Sequence, residues 1–168
     1  MSVSMHDLAV PLFERILESL KSMLDKAVAH ARASGYDEVV LLEARLYPDM
    51  WSLRQQVAGA TSFGIRGIAR LAGVEVPALP EALDTFADLH ARLDQTLAFV
   101  RGADKAAVDA GATRELTVPW GKEQKTMTGL VYFQRLALPN FMFHATTAYD
   151  ILRHNGVPLV KEDFTGAL

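Results

Sequence analysis

No cysteine occurs anywhere in the 168 residues. Disulfides, thiolate nucleophiles and cysteine-ligated zinc are therefore excluded, and a reducing compartment is permitted, the cytoplasm being the simplest. There is no surplus of positive charge either. Lys and Arg number 17 against 20 Asp and Glu, a formal net charge of -3, and the basic residues are dispersed. A protein that neutralises phosphates carries a basic stripe or patch, so nucleic acid is not an expected partner. Long apolar runs are missing as well. The opening MSVSMHDLAVPLFERILESLKSM is interrupted by Asp7, Glu14, Glu18 and Lys21 before it reaches signal-peptide or membrane-spanning length, so no membrane partner is expected. Finally, there is no nucleotide-binding glycine motif, no GxSxG elbow, no HExxH, no internal repeat and no low-complexity tract. Those absences remove the commonest enzyme classes that a sequence displays.

What is present is helical periodicity. Half of the residues are hydrophobic and 22% are charged, as in a globular chain, and the length fits one domain over 1–168. Ser4 caps a first helix with apolar residues at Leu8, Leu12, Ile16, Leu20, Met23 and Leu24 that should end near Ser34-Gly35, with a kink at Pro11. The stretch 36–47 reads as a connection with a short helical turn. A second helix is expected from Pro48-Asp49, capped by Asp49, to Gly73. Its Gly59, Gly64 and Gly67 each cost roughly 1 kcal/mol relative to alanine and so imply a close neighbour. A third helix is expected from Glu81 to Gly102, with Leu83, Phe86, Leu89, Leu93, Leu97 and Val100 inward and His90 half exposed. The period lapses over 103–128, where Trp120-Gly121 suggests a small hairpin or extended loop. Thr128 then caps a fourth helix that ends at Gly156. Four long helices of this kind predict an all-α four-helix bundle.

The fourth helix carries polar residues where apolar ones belong. At 100° per residue, Phe133, Asn140, His144, Thr147 and Ile151 fall within about 60° of one another, while Arg135, Thr146, Asp150 and Arg153 face the other way. A buried polar group without a partner costs roughly 1–3 kcal/mol. Partners are sought on the second helix at Gln55 or Gln56, or from Tyr47 and Trp51. Two readings follow. The cluster fixes helix register, or it lines an interhelical pocket for a small molecule or ion. His154 reads as a helix-end cation, His6 and His30 as surface residues, and Glu81, Asp84, Asp88 and Asp94 as a solvated acidic face.

The segments SMHDLAVPLFERIL, LLEARLYPDMWSLRQQV and above all PNFMFHATTAYDILRHNGVPL resemble the DinB/YfiT-like superfamily, in a branch known only as a domain of unknown function. The resemblance implies an up-down-down-up four-helix bundle, often dimeric. In the superfamily a divalent metal is commonly held by three histidines, one on the second helix and an HxxxH pair on the fourth. Aligned on the Leu152-Arg153 end, the pair falls on Asn140 and His144, and the second-helix position falls near Gln56 to Gly59. One ligand of three is carried over. The expectation is a cytoplasmic homodimer that is non-catalytic or binds a small ligand through a degenerate metal site around Asn140, His144, Thr147, Gln56, Trp51 and Tyr47, with no cofactor assigned and a divalent metal at His144 as the one candidate. The alternative is a metal-dependent hydrolase or transferase using His144 as base or metal ligand, with Tyr47, Trp51 or Trp120 lining the pocket.

Overall fold

The computed structural model describes residues 3–166. Helix α1 (Met5–Ser34) opens with the Ser4 hydroxyl accepting from Asp7 N and closes on Gly35 at φ 74°. It runs through Pro11 and buries one apolar side, including Phe13, Leu17, Leu20 and Leu24. A short α2 (Val39–Glu43) supplies the expected turn in the first connection. Helix α3 (Leu53–Ala72) begins later than Asp49. The cap is Ser52, whose N–H donates to Gln55 Oε1 at 3.0 Å, a side-chain closure of the first turn that outcompetes the upstream aspartate.

Helix α4 (Phe86–Arg101) also begins later than expected. Thr85 and Asp88 cap it reciprocally: Asp88 N donates to Thr85 Oγ1 at 3.1 Å, and Thr85 N donates to Asp88 Oδ2 at 2.9 Å. Residues 81–85 stay outside the helix. The aperiodic region holds a helix that the sequence reading missed, α5 (Lys105–Gly111), started by Asp104 Oδ1 accepting from Ala107 N. At two turns it is too short to show a period. Next come β1 (Glu115–Trp120) and β2 (Glu123–Thr128), an antiparallel pair in register from Glu115 opposite Thr128 to Trp120 opposite Glu123. Gly121 turns the hairpin at φ 64°. Pro119 is tolerated because a two-stranded sheet has only edge strands.

The expected fourth helix is interrupted. It comprises α6 (Gly129–Tyr132), a π-helical segment (Phe133–Ala137) and α7 (Leu138–His154). Leu138 N donates to Phe133 O, the five-residue step of a π turn. Pro139 explains it: its ring clashes with the carbonyl four residues earlier in an α-helix, and the wider turn relieves that clash. A final α8 (Lys161–Thr165) packs on α1.

The fold is thus mostly helical with a small two-stranded antiparallel sheet. Helix α3 packs most extensively on α7 and also contacts α4 and α5, while α1 lies against α4, α7 and α8. Phe13 and Phe141 meet at 4.2 Å between ring centroids. The α3 glycines sit where these aromatics press in: a Cβ on Gly67 would lie 3.0 Å from Phe13, and one on Gly64 would lie 3.4 Å from Phe141. Close approach is the reason for those glycines.

Candidate functional site

Helix α7 turns His144 inward onto α3, leaving the residue 8% exposed. The ring rests directly on Gly59, where a Cβ would come within 2.7 Å of its Cγ. Trp51 and Phe63 flank the imidazole face-on, at centroid distances of 5.1 and 5.6 Å and interplanar angles of 10° and 21°. Trp51 is itself half in solvent and covers the ring from outside.

Gln56, 1% exposed, fixes the protonation of this ring. Its Nε2 donates to Trp51 O at 3.3 Å, which aims Oε1 at His144 Nδ1, 2.8 Å away. An amide oxygen only accepts, so Nδ1 carries the proton and Nε2 keeps a lone pair in the neutral ring. Burial, and secondarily the positive charge of Arg66, holds the imidazole below its ordinary pKa, so the neutral form is the native one. Every fully buried side-chain nitrogen or oxygen among the described residues has a partner. Nε2 has none among those residues, so it retains access to solvent.

The other expected members do not join this pair. Asn140 Nδ2 donates to Leu136 O at 2.8 Å, and Thr147 Oγ1 donates to Phe143 O at 2.7 Å. Both side chains are spent on carbonyls of their own helical run, four residues back. Asn140, His144 and Thr147 are therefore not one network, and the interhelical bond belongs to His144 and Gln56. Gln55 caps α3, Tyr47 is 67% exposed, and Trp120 lies on the hairpin over Lys125 Nζ at 5.0 Å. Elsewhere His90 Nε2 lies 3.1 Å from Asp25 Oδ1, His6 Nδ1 lies 3.4 Å from Asp7, and His30 meets Tyr36 edge-on. His6 and His30 are half-buried, not surface residues, and His154 is exposed at the end of α7. The acidic residues of the third-helix region are also engaged: Asp84 pairs with Arg54, Asp94 with Lys21, and Asp88 caps α4.

Residues that the sequence reading passed over complete the surroundings. A cleft of about 210 Å³ is lined by Trp51, Gln55, Gly59, Ser62, Phe63 and Arg66, together with Ala58 and Leu83. The Arg66 guanidinium lies 4.8 Å from the Phe63 centroid, and its Nε donates to Ser62 O. Arg92 on α4 is only 8% exposed and has no carboxylate partner among the described residues. It donates to Thr61 Oγ1 and Ser62 Oγ at 2.8 Å and to Pro80 O. A signal for Arg92 existed, since it lies three residues after Leu89 and four before Thr96, on the buried stripe.

A divalent metal of the three-histidine kind needs nitrogen donors that converge. Among the described residues no three His, Asp or Glu side chains do so. Here one imidazole has Nδ1 committed to an amide oxygen, and the amide nitrogen at the preceding ligand position is drawn back to Leu136. The residues do not fit such a metal.

Residues 5–165 match the family described as "Domain of unknown function (DUF1993)". The chain is also similar to a solved structure from Shewanella denitrificans described as a DinB family member protein, with 37% identity and a TM-score of 0.90 over 97% of this chain and 92% of that one. No curated protein matches it.

Proposed function

Taking as premise that the chain belongs to the DUF1993 family and is DinB-like in structure, we propose that it is a small-ligand-binding bundle whose metal site has degenerated. The observation that carries this reading is the His144–Gln56 bond of 2.8 Å on the floor of Gly59. It joins two of the three regions to which the superfamily pattern gives metal ligands, and it uses up one imidazole nitrogen in a contact with an amide oxygen. Beside it lies an open, mostly apolar cleft of the kind that takes small molecules between helices.

In this reading the long helices form an up-down-down-up bundle, and the protein is cytoplasmic, in keeping with its lack of cysteine. It pairs with itself through apolar side chains exposed between Val39 and Trp51. Sedimentation across a dilution series tests the pairing, and a monomer throughout removes it. For the site, tag-free protein should carry far less than one equivalent of any transition metal by elemental analysis, and a value near one overturns the degenerate-site reading. NMR screening with a mixed set of neutral and charged fragments should shift Gly59 and the Gln56 side-chain amide; shifts confined to other surfaces remove the binding reading.

One observation favours a second reading, a hydrolase or transferase with His144 as general base: Nε2 is unprotonated and reachable from solvent. A His144→Ala variant whose ligand interactions are all unchanged would remove it.

A further inference from the structure

We propose that the cleft beside His144 receives a small organic carboxylate, with the Arg66 guanidinium as its charge partner and Trp51, Phe63 and Leu83 as apolar walls; this rests on the small-ligand reading above and names its chemical class. Three features of the cleft point there.

The first is a cation without an anion. Arg66 is half-buried, and no carboxylate lies within 4.0 Å of it among the described residues. The charge that acts on it most is that of Arg70, a second cation. Arg66 acts in turn on buried Arg92, which has no acid either. Native proteins pair charges that they withdraw from water. Among the described residues the hydrogen-bond and cation–π contacts of Arg66 are one Nε–H bond to Ser62 O and the face of Phe63, which leaves the Nη groups to form a fork on an incoming carboxylate.

The second is the character of the walls. Trp51, Ala58, Gly59, Phe63 and Leu83 are apolar and two are aromatic. They suit a flat hydrocarbon body better than a fully solvated phosphate, which would need more donors than this cleft provides. Ser62 adds one: its Oγ accepts from Arg92 Nη2, which leaves the hydroxyl proton to donate into the cleft.

The third is size. At about 210 Å³ the space falls below the roughly 300 Å³ at which drug-sized pockets begin, so a single ring or a short chain is the fit. Glu81 lines the adjoining space with Arg66 and Arg92, and its charge disfavours a second anionic group on that side.

The test uses the full chain, labelled for 1H–15N NMR and titrated with benzoate and with its neutral isostere benzamide. Benzoate should shift the Trp51 indole N–H and the Gly59, Ser62 and Phe63 amides, and should bind about tenfold more tightly than benzamide, a preference that weakens as salt rises. Arg66→Gln should abolish the preference for benzoate over benzamide, and Arg66→Lys should retain part of it. If Arg66→Gln does not fold, the salt dependence and Arg66→Lys decide the matter. Equal affinity for the two probes overturns the carboxylate proposal but leaves the cleft a binding site. Failure of both probes to shift these resonances overturns it too, and the small-ligand reading then rests on the fragment screen alone. Benzoate affinity unchanged in Arg66→Gln overturns the role of Arg66.

Discussion

One imidazole, held between two aromatic rings and a glycine, makes stability depend on pH in a definite direction. The native state keeps His144 neutral and depresses its pKa from 6.5, while the unfolded chain protonates at that ordinary value. Below about pH 6.5 the unfolded state therefore binds more protons, so this residue's stabilisation is complete above that pH and is lost as pH falls through the native pKa. Urea midpoints should drop between about pH 7.5 and 5.5 by more in the wild type than in His144→Gln; equal drops would refute the assignment. Gln56→Leu strands the Nδ1 proton in the interior and should cost about 1–3 kcal/mol by urea unfolding. Gly59→Ala sets two effects against each other. Helix propensity gains about 1 kcal/mol, but the new methyl invades the imidazole, and overpacking costs about 1–3 kcal/mol. Net destabilisation is expected, together with a shifted Trp51 indole resonance as the stack is displaced.

Between elements, the polar contacts divide into those that join helices and those that only tidy one. Asn140 belongs to the second group: it satisfies the Leu136 carbonyl beside the proline. Asn140→Ala should cost about 0.5–1.5 kcal/mol with no change at Gly59 or His144 by NMR. Arg92 belongs to the first group, since it ties α4 to α3 and to the Pro80 carbonyl of the linker. Arg92→Met should release that linker, seen as faster hydrogen exchange over residues 76–82; unchanged exchange would show that the tether is idle. Helical period made the inward aim of His144 legible, and its need for a partner pointed to Gln55 or Gln56, Tyr47 and Trp51 without choosing among them, because both arguments use only spacing and the cost of a lone buried donor. Helix starts were less legible. Asp49 and Ser52 are both good caps in isolation, and the choice went to the one with a glutamine three residues on. Phe63 and Arg66 escaped notice because their importance lies in what crosses from α7, which α3 alone does not encode.

Across the whole molecule, ion pairs decorate a core that does not depend on them. Lys21 and Asp94, and Arg101 with Glu14 and Glu18, link α1 to α4 at the surface, where such pairs are screened by salt and add little. A Glu14→Gln/Glu18→Gln double variant should unfold at nearly the wild-type urea midpoint, and a large fall would show that the pairs carry more than surface geometry allows. The mostly helical architecture was readable because each long segment declares an apolar side, whereas the π segment came from a local conflict at Pro139 that no periodic pattern reports. That segment divides the last long helical run into two separately indexed halves. Upstream, Gly129 and Leu130 are docked by backbone hydrogen bonds to Arg114 and Ala112; downstream, His144 is seated on Gly59. The π segment fits one residue more than an α-helix would into nearly the same arc, so the extra residue is absorbed there and the downstream half keeps the phase that seats His144 on α3. Within that segment, deletion of one residue that leaves a plain α-helix should keep His144 on Gly59, whereas insertion of one residue should turn the downstream half by about 100° and displace it, so the length of this short segment is as much a part of the site as any side chain in it.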